Sequence, residues 1–254
     1  MKQDQIMFLK NANTIRRGLV RRARAKELGV PFFRGPSFRT PKSIIMQGKR
    51  VDLLFPEEKG IKFAFVDIFL DDVYGLRNAT SDYASILDIG ANVGFFSLYA
   101  RMRFPNSVIH AYEPNVQLAP FLKHQASLAK AQVFLEALGA ENGKINLVPA
   151  PESLQTRSVV DSRGEIPQIA FSEAMKRIGG KVDLVKLDCE GAEWSILSDS
   201  KAWKNVGRLT MEYHLFEQQQ THDGIASLIE AAGFKIDFQK KEATGGFLYA
   251  TNRA

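Results

Sequence analysis

The chain has 254 residues, of which 45% are hydrophobic and 24% are charged. This composition excludes disorder of the whole chain and is typical of a globular protein with one α/β domain plus an extension. Its apolar stretches are too short for a membrane-spanning helix, and residues 1–10 lack the apolar core of a signal peptide, so we expect a cytoplasmic protein. The single cysteine, Cys189, excludes an intrachain disulfide and agrees with a reducing compartment.

The net charge of +6 is distributed unevenly along the chain. Residues 1–50 contain thirteen Lys and Arg against Asp4 and Glu27, a net charge of +11, whereas the remaining 204 residues have a net charge of −5. A segment with so high a positive charge usually binds an anionic partner. We therefore expect it to contact an anionic or lipid-linked acceptor, a peripheral membrane surface or, less readily, nucleic acid.

The first predicted element is a helix over residues 5–28. Its apolar residues are spaced among arginines in a manner compatible with an amphipathic helix of basic polar face: Ile6, Leu9, Ile15, Leu19 and Val20. Glycines and prolines in residues 29–41 predict a linker. We therefore divide the chain into a basic extension with linker, residues 1–42, and a domain, residues 43–254. A hairpin is predicted at the start of this domain, with strands at residues 43–46 and 50–55 turning at Gln47–Gly48.

From Ser85 onward, strand and helix patterns alternate, which predicts an α/β fold with a mostly parallel seven-stranded sheet and helices on both faces. The predicted strands are residues 85–89, 108–112, 132–136, 182–187, 206–212, 234–239 and 246–251. The predicted helices are near residues 94–102, 116–129, 171–178, 191–198 and 223–232. We expect the last strand to return as an antiparallel hairpin. Residues 142–170, with three prolines and few periodic apolar residues, look like an irregular insertion above the sheet.

The first strand of this series runs into a glycine-bracketed turn that is typical of nucleotide-cofactor loops. Gly90 and Gly94 permit the tight turn, and Asp88 lies at the carboxyl end of the strand. Nineteen residues beyond Gly94, the next strand ends in Glu113, where such folds hydrogen-bond a ribose. In the dinucleotide-binding pattern G-x-G-x-x-G, the middle glycine lets the main chain approach the pyrophosphate. In this loop, Asn92 occupies the position of that glycine. Because S-adenosylmethionine has a ribose and no phosphate, this loop favours S-adenosylmethionine over NAD.

A second group of polar residues follows the predicted strand at residues 182–187. Asp188 and Glu190 are two residues apart, so in strand geometry they face the same way, and their repulsion would raise one pKa or attract a cation. Asp188 either binds a ligand at the edge of the sheet or caps the turn as a structural carboxylate. Glu193 would lie in the first turn of the next helix, where it either has a functional role or only interacts with the helix dipole.

Four segments together resemble the FkbM family of S-adenosylmethionine-dependent methyltransferases in content, order and spacing. They are Leu87–Gly94, Tyr112–Asn115, Val185–Glu193 and Met211–His214. The resemblance covers about residues 60–250, and its specific part is the D-x-E-G-A-E turn, because the glycine loop alone is widely shared. It implies a Rossmann-like methyltransferase fold and an enzyme that O-methylates a natural product or a sugar.

The resemblance also implies a set of cofactor-binding residues. The methionine part of S-adenosylmethionine would be lined by Asp88, Gly90, Ala91, Asn92 and Gly94. The ribose would be held by Glu113 with Asn115 nearby, and the adenine bordered by Ala137 and Leu138. Two residues complete the set: Tyr74, which either closes over the cofactor or only packs, and Asp188, which would face the sulfonium and the acceptor.

Methyl transfer to a hydroxyl requires removal of the acceptor proton, by a base or through a cation that lowers the hydroxyl pKa. His214 lies at a predicted strand end beside Glu212, and it is our first choice as base; the alternative is a histidine at the sheet edge without a catalytic role. Asp188, Glu190 and Glu212 could instead hold one Mg²⁺ through oxygen ligands. The predicted catalytic residues are therefore Asp188, Glu190, Glu212 and His214.

Three classes of function remain open from the sequence. The first is an enzyme that O-methylates a hydroxyl of a sugar, a glycan or a related natural product. The second is a nucleic-acid methyltransferase, which the basic residues 1–50 support and the absence of an Asn/Asp-Pro-Pro-Tyr turn disfavours. The third is a non-catalytic protein that binds a partner through its basic segment.

Overall fold

The structure, a computed structural model, describes residues 2–32, 38–79, 81–148, 157–161, 163–199 and 201–253, with only the main chain described for residues 2–13 and 157–160. Internal contacts divide the chain into two units, residues 1–73 and residues 74–254. The division at residue 42 that the linker composition suggested stays a prediction.

The first unit consists of a long helix, a hairpin and a short helical segment. Its elements are α1 (Lys2–Glu27), β1 (Ser43–Met46), β2 (Lys49–Asp52), α2 (Lys59–Phe65) and a π-helix (Val66–Asp71). The predicted first helix is thus confirmed, and the hairpin turns at Gln47–Gly48 as predicted. Its second strand ends at Asp52 rather than Phe55, because the chain approaches Pro56, which cannot donate to a ladder. Within the predicted linker, residues 33–37 lie outside the described residues.

Helix α1 is attached to the π-helix of the first unit by three arginines. Arg17 and Arg21 both bond the carboxylate of Asp71, with Arg21 Nε 2.6 Å from Asp71 Oδ1. Arg24 Nη1 donates to the carbonyl oxygen of Leu70 at 2.8 Å. Although burial opposes it, these two guanidinium bonds lower the pKa of Asp71. Helix α1 therefore docks on the π-helix through its arginines.

No helix in the described part of the chain combines the length and hydropathy needed to cross a bilayer.

The second unit contains the predicted seven-stranded sheet. Across the sheet, the strands are β12 (Phe234–Glu242), β13 (Gly245–Asn252), β11 (Val206–His214), β10 (Val182–Leu187), β3 (Ser85–Ile89), β4 (Val108–Tyr112) and β5 (Gln132–Phe134). Strands β11, β10, β3, β4 and β5 run parallel, while β13 is antiparallel to both β11 and β12. This confirms the predicted α/β, Rossmann-like methyltransferase fold, including the antiparallel return of the last strand.

Five helices connect these strands: α3 (Phe95–Arg103), α4 (Ala119–Ala129), α5 (Phe171–Arg177), α6 (Glu193–Ser198) and α7 (His222–Ala231). Each lies within a few residues of its predicted position. Helix α3 packs with α4, and α6 packs with α7. Helix α7 begins at the cap residue Thr221, whose side chain accepts a hydrogen bond from the amide of Gly224.

The prediction of an irregular insertion at residues 142–170 is wrong for its described part. That region contains β7 (Gly143–Val148), β8 (Arg157–Val160) and β9 (Ile166–Ala170), which join β6 (Ala137–Gly139) in a four-stranded sheet of order β6-β9-β7-β8. Residues 149–156 and 162 lie outside the described residues. Strand β7 escaped detection because polar, exposed residues interrupt its apolar ones, and β9 escaped detection because it contains Pro167, at a position paired only with Lys144.

The topology places the site at the carboxyl edge of the parallel strands. Strand β3 is the middle one of the five parallel strands, with β4 on one side and β10 on the other. Ligands of open α/β sheets bind at such a reversal of strand order. Strand β10 is apolar on both faces, with Val182, Leu184, Val185 and Leu187 fully buried, so the polar residues that follow it are held on a rigid support.

Candidate active site

The carboxyl ends of β3 and β10 approach each other so closely that residue 90 must be glycine. A Cβ atom at Gly90, whose φ is +74°, would lie 1.7 Å from the carbonyl oxygen of Asp188. The amides of Gly90 and Ala91 both donate to the carbonyl oxygen of Tyr112, at 3.0 and 2.9 Å. Gly94 then adopts φ +87° as the cap of α3. The loop is thus fixed to the strands on both sides of it.

Glu113 connects the glycine loop to the end of β4. It is buried, and its carboxylate accepts hydrogen bonds from the amide of Asn92 at 2.8 Å and the amide of Asn115 at 2.9 Å. Burial raises the pKa of Glu113, and these two amide bonds oppose the rise. Asn92 meets the carboxylate with a φ of 50°, a left-handed conformation that asparagine tolerates better than most residues. A carboxylate offers about four lone pairs, so two remain for ligand hydroxyls.

A buried lysine, Lys186, lies beneath the loop, and the sequence analysis missed it. Its Nζ donates to the carbonyl oxygen of Gly90 at 2.6 Å and lies 3.5 Å from Asp88 Oδ1 and 3.4 Å from Asp188 Oδ2. Burial lowers the pKa of Lys186, but Asp188 and Asp88 outweigh it and hold the pKa above its usual value. The available signal was a lysine within a mostly apolar strand. Its single positive charge is shared between the carboxylates that end the two strands.

Asp88 and Tyr74 lie below the open part of the site. Asp88 is fully buried, accepts a hydrogen bond from Ser97 Oγ at 2.6 Å, and has its pKa raised by burial. The buried Tyr74 donates its hydroxyl to Asp188 Oδ2 at 2.9 Å. Burial and, after it, the charge of Asp188 raise the pKa of Tyr74 well above its usual value, so the phenol keeps its proton. Tyr74 therefore orients Asp188 in this structure.

The turn after β10 is organised by Glu193, which is fully buried. One of its oxygens accepts the amide of Cys189 at 2.7 Å, and the other accepts the amide of Gly191 at 2.9 Å. Glu190, between them, has a φ of 53°. Burial, followed by the charge of Glu193, raises the pKa of the Cys189 thiol well above its usual value. Glu193 thus holds the turn directly, beyond any effect on the helix dipole.

His214, at the end of β11, is surrounded by carboxylates. Its Nδ1 lies 3.3 Å from Glu193 Oε1, and its Nε2 lies 3.6 Å from Glu190 Oε2 and 4.0 Å from Glu212 Oε1. Burial lowers the pKa of His214, but the bond to Glu193 and the surrounding charges raise it to about 10. The ring of Phe216 stacks on the imidazole at a centroid distance of 5.1 Å. At neutral pH the imidazole is therefore protonated, which argues against its predicted use as a base.

Three residues at this edge could hold a metal ion. Ligand atoms of Asp188, Glu190 and His214 all lie within 4.8 Å of one another. The sequence predicted Asp188 and Glu190 together with Glu212 instead. A cation bound here would compete with the proton on His214, so Mg²⁺ use stays a prediction.

A cleft open to solvent lies beside these groups. It is lined by eight of the residues predicted from the sequence, Gly90, Asn92, Glu113, Asn115, Ala137, Leu138, Asp188 and Glu190. Six other predicted residues do not line it: Tyr74, Asp88, Ala91 and Gly94, which are buried, and Glu212 and His214, which are partly buried. The sequence analysis did not anticipate the remaining wall, Ile89, Tyr112, Pro114, Glu136, Leu147, Cys189 and Ala192. Leu147 belongs to β7, which sequence patterns did not reveal.

The lining fits S-adenosylmethionine. The carboxylate of Glu113 is positioned by two amides and retains lone pairs for ribose hydroxyls, while Ala137, Leu138 and Leu147 offer an apolar wall for adenine. At Gly90, where the methionine part would bind, the close approach of Asp188 leaves no space for a side chain. The carboxylates of Asp188 and Glu190, which also line the cleft, would attract the positively charged sulfonium.

Comparisons with known proteins agree with this geometry. The chain is 28% identical over 222 residues to Methyltransferase sdnD of Sordaria araneosa, covering 71% of this chain and 85% of the relative. It is 25% identical over 213 residues to Methyltransferase 1 of Beauveria bassiana, covering 72% of this chain and 84% of the relative.

Among solved structures, the chain is similar to fibrillarin of Methanococcus jannaschii, with a TM-score of 0.48, 12% identity, and coverage of 88% of this chain and 87% of that one. It is also similar to a precorrin-6y C5,15-methyltransferase of Geobacter metallireducens, with a TM-score of 0.45, 14% identity, and coverage of 72% and 87%. The model of the methyltransferase FkbM domain matches residues 88–236, which is more than half of the chain and runs from the end of β3 to the start of β12. The chain therefore belongs to the FkbM methyltransferase family.

Proposed function

We propose that this methyltransferase transfers a methyl group from S-adenosylmethionine to a hydroxyl of a sugar, a glycan or a related natural product. One observation carries the proposal: three carboxylates, Asp188, Glu190 and Glu212, surround His214 at the edge of the cofactor cleft. Carboxylates accept hydrogen bonds from several hydroxyls at once, as a polyol acceptor requires.

The acceptor side also has an aromatic surface. Phe216 stacks on His214 with an interplanar angle of 18°, which forms a flat layer next to the carboxylates. Hydroxyl-accepting groups beside a flat apolar face suit the two sides of a pyranose ring. The same carboxylates repel phosphate groups, which argues against a nucleic-acid acceptor and against an acidic group close to the reacting oxygen.

The mechanism rests on positioning and on one proton transfer. When bound, S-adenosylmethionine supplies a methyl group on a sulfonium, a good leaving group. Tyr74 and Lys186 hold one oxygen of Asp188, so that this carboxylate is fixed at the strand end where an acceptor oxygen can be aligned. We propose that Asp188 accepts the acceptor's hydroxyl proton, because His214 is already protonated at neutral pH. His214 would then orient Glu190 and Glu212 toward the acceptor.

An acceptor screen with radiolabelled S-adenosylmethionine tests this proposal. We expect transfer to neutral sugars or polyhydroxylated natural products, and little to sugar phosphates, RNA or DNA. Asp188→Asn should lower kcat by about 10² to 10⁴ while S-adenosylmethionine affinity changes little. The exposed Glu173→Gln, which loses only its pair with Lys176, is the matched carboxylate control.

Preferential labelling of a nucleic acid, or wild-type turnover in Asp188→Asn, would overturn the assignment. EDTA treatment run in parallel distinguishes the proton-transfer route from a Mg²⁺ route, since only the latter loses activity and regains it when Mg²⁺ is restored.

A further inference from the structure

The outward face of helix α1 has apolar side chains exposed among basic ones. Ile15 is 57% exposed and Leu19 is 60% exposed. Arg22 and Lys26 continue the same row, because spacings of four, three and four residues lie on one side of a helix. Arg16, adjacent to this row, is exposed as well. We name these five residues, 15, 16, 19, 22 and 26, the outer stripe.

The face of α1 next to the outer stripe is already occupied. Gly18 and Ala25 are buried there, and the guanidinium groups of Arg17 and Arg21 bond Asp71. Arg24 is engaged by a main-chain carbonyl oxygen. The docking of the helix therefore uses arginines on one side and leaves both the charge and the apolar area of the outer stripe directed at solvent.

We propose that the outer stripe binds the surface of a membrane that contains anionic lipids, with α1 lying parallel to that surface. Ile15 and Leu19 enter the boundary between headgroups and acyl chains, while Arg16, Arg22 and Lys26 contact lipid phosphates. Helices with basic residues flanking an apolar row bind membranes in this way without spanning them. The net charge of +11 in residues 1–50 adds long-range attraction to the same surface.

The composition of the stripe favours lipid over two other occupants. A nucleic acid would gain from the three cations but gains nothing from branched aliphatic side chains, and the stripe has no aromatic ring on which a base could stack. A second copy of the chain would place like-charged arginines opposite each other. Only an anionic surface with an apolar interior uses both kinds of side chain.

Co-sedimentation of the full-length protein with extruded vesicles tests this inference. We expect binding to phosphatidylcholine vesicles containing phosphatidylserine, and at least about tenfold weaker binding to pure phosphatidylcholine. Ile15→Gln combined with Leu19→Gln keeps the charge and uses a good helix former, and should weaken binding to the anionic vesicles about tenfold or more. Arg16→Glu combined with Arg22→Glu should abolish it at 0.1 M salt.

Matched controls use exposed residues of the second unit. Val108→Ser removes an apolar side chain that is 54% exposed, and Lys123→Glu combined with Lys235→Glu reverses two exposed charges; both should bind like wild type. Circular dichroism confirms that α1 remains helical in each variant. Wild-type binding by the double glutamine variant overturns the proposal. So does RNA binding tighter than vesicle binding, or self-association in light scattering that the glutamine variant abolishes.

Discussion

At the scale of single residues, the candidate site depends on buried charges that are satisfied by main-chain groups. Glu113 and Glu193 have similar structural roles. Each is a buried carboxylate that follows a parallel strand and accepts hydrogen bonds from main-chain amides of the surrounding turn. Glu113 was predictable, because its distance from the glycine loop follows a known pattern. The bonds of Glu193 and the burial of Lys186 depend on the apposition of β3 and β10, which spacing along the sequence cannot reveal.

The role of Glu113 can be measured by calorimetry. Glu113→Ala should weaken S-adenosylmethionine binding by about 1 to 3 kcal/mol, since it removes charge-assisted bonds to the ribose. Wild-type protein should bind S-adenosylmethionine and S-adenosylhomocysteine but not NAD. Because Ala also frees two loop amides, Glu113→Gln serves as the control that retains an acceptor oxygen. Preference for NAD would contradict the reading of Asn92.

The charge state of His214 can be measured through the pH dependence of stability. Its pKa is raised from 6.5 to about 10 in the folded protein, so its stabilising effect is complete below pH 6.5, decreases as the pH rises, and is lost above pH 10. The difference in free energy of unfolding between wild type and His214→Gln should therefore shrink between pH 7 and pH 10 in urea titrations. A difference independent of pH would show that the imidazole is neutral.

The two candidates for the base, His214 and Asp188, lead to different expectations for the pH dependence of activity. If His214 is the base, kcat/KM should rise toward pH 10, where the imidazole loses its proton, and His214→Gln should remove this rise. If Asp188 is the proton acceptor instead, the pH profiles of the wild type and of His214→Gln should have the same shape.

At the scale of secondary structure, the seven-stranded sheet was largely predictable and the second sheet was not. The strands of the large sheet are buried on one or both faces, so their apolar runs are long enough to recognise. Strand β7 alternates weakly, with only Ile145 fully buried, and β9 contains a proline. Short, exposed strands of this kind are specified by pairing, which local patterns do not record.

The junction between β3 and β10 can be tested with two glycines of similar φ. Gly90→Ala must displace main-chain atoms, because the new Cβ would lie 1.7 Å from the Asp188 carbonyl oxygen, whereas at Gly48, with φ +77°, nothing lies within 4 Å. Both variants incur the cost of the left-handed conformation, about 1 to 2 kcal/mol. Gly90→Ala should be destabilised by about 1 to 3 kcal/mol more in chemical denaturation. Equal losses would mean that the strand ends are further apart.

At the scale of the whole molecule, the positive charge and the predicted cofactor-binding residues lie in different parts of the chain. The basic segment lies within residues 1–73, whereas the predicted cofactor residues all lie within residues 74–254. The asymmetry was evident from composition. Composition did not reveal that this segment also contributes buried side chains to the first unit, namely Ala25, Leu28, Val30 and Phe38. A basic sequence followed by glycines and prolines is more typical of an extension that does not pack.

Deletion of residues 1–40 should therefore separate stability from cofactor affinity. The first unit loses buried side chains and the arginines that bond Asp71, so its unfolding should occur at lower temperature. Affinity for S-adenosylmethionine should change by less than about 0.5 kcal/mol, since the predicted cofactor residues all belong to the other unit, residues 74–254. Calorimetric scanning and ligand titration on the same preparation measure both. Loss of cofactor binding would show that residues 1–40 support the cleft.

The single cysteine of the chain lines the cleft with its thiolate form disfavoured. Because alkylating agents and peroxides attack the thiolate, Cys189 should resist both at neutral pH. The cleft would then keep its catalytic capacity under oxidising conditions that inactivate enzymes with reactive thiols. Cys189 can also report on ligand binding: at alkaline pH, S-adenosylmethionine bound in the cleft should slow the alkylation of Cys189, without any label added elsewhere.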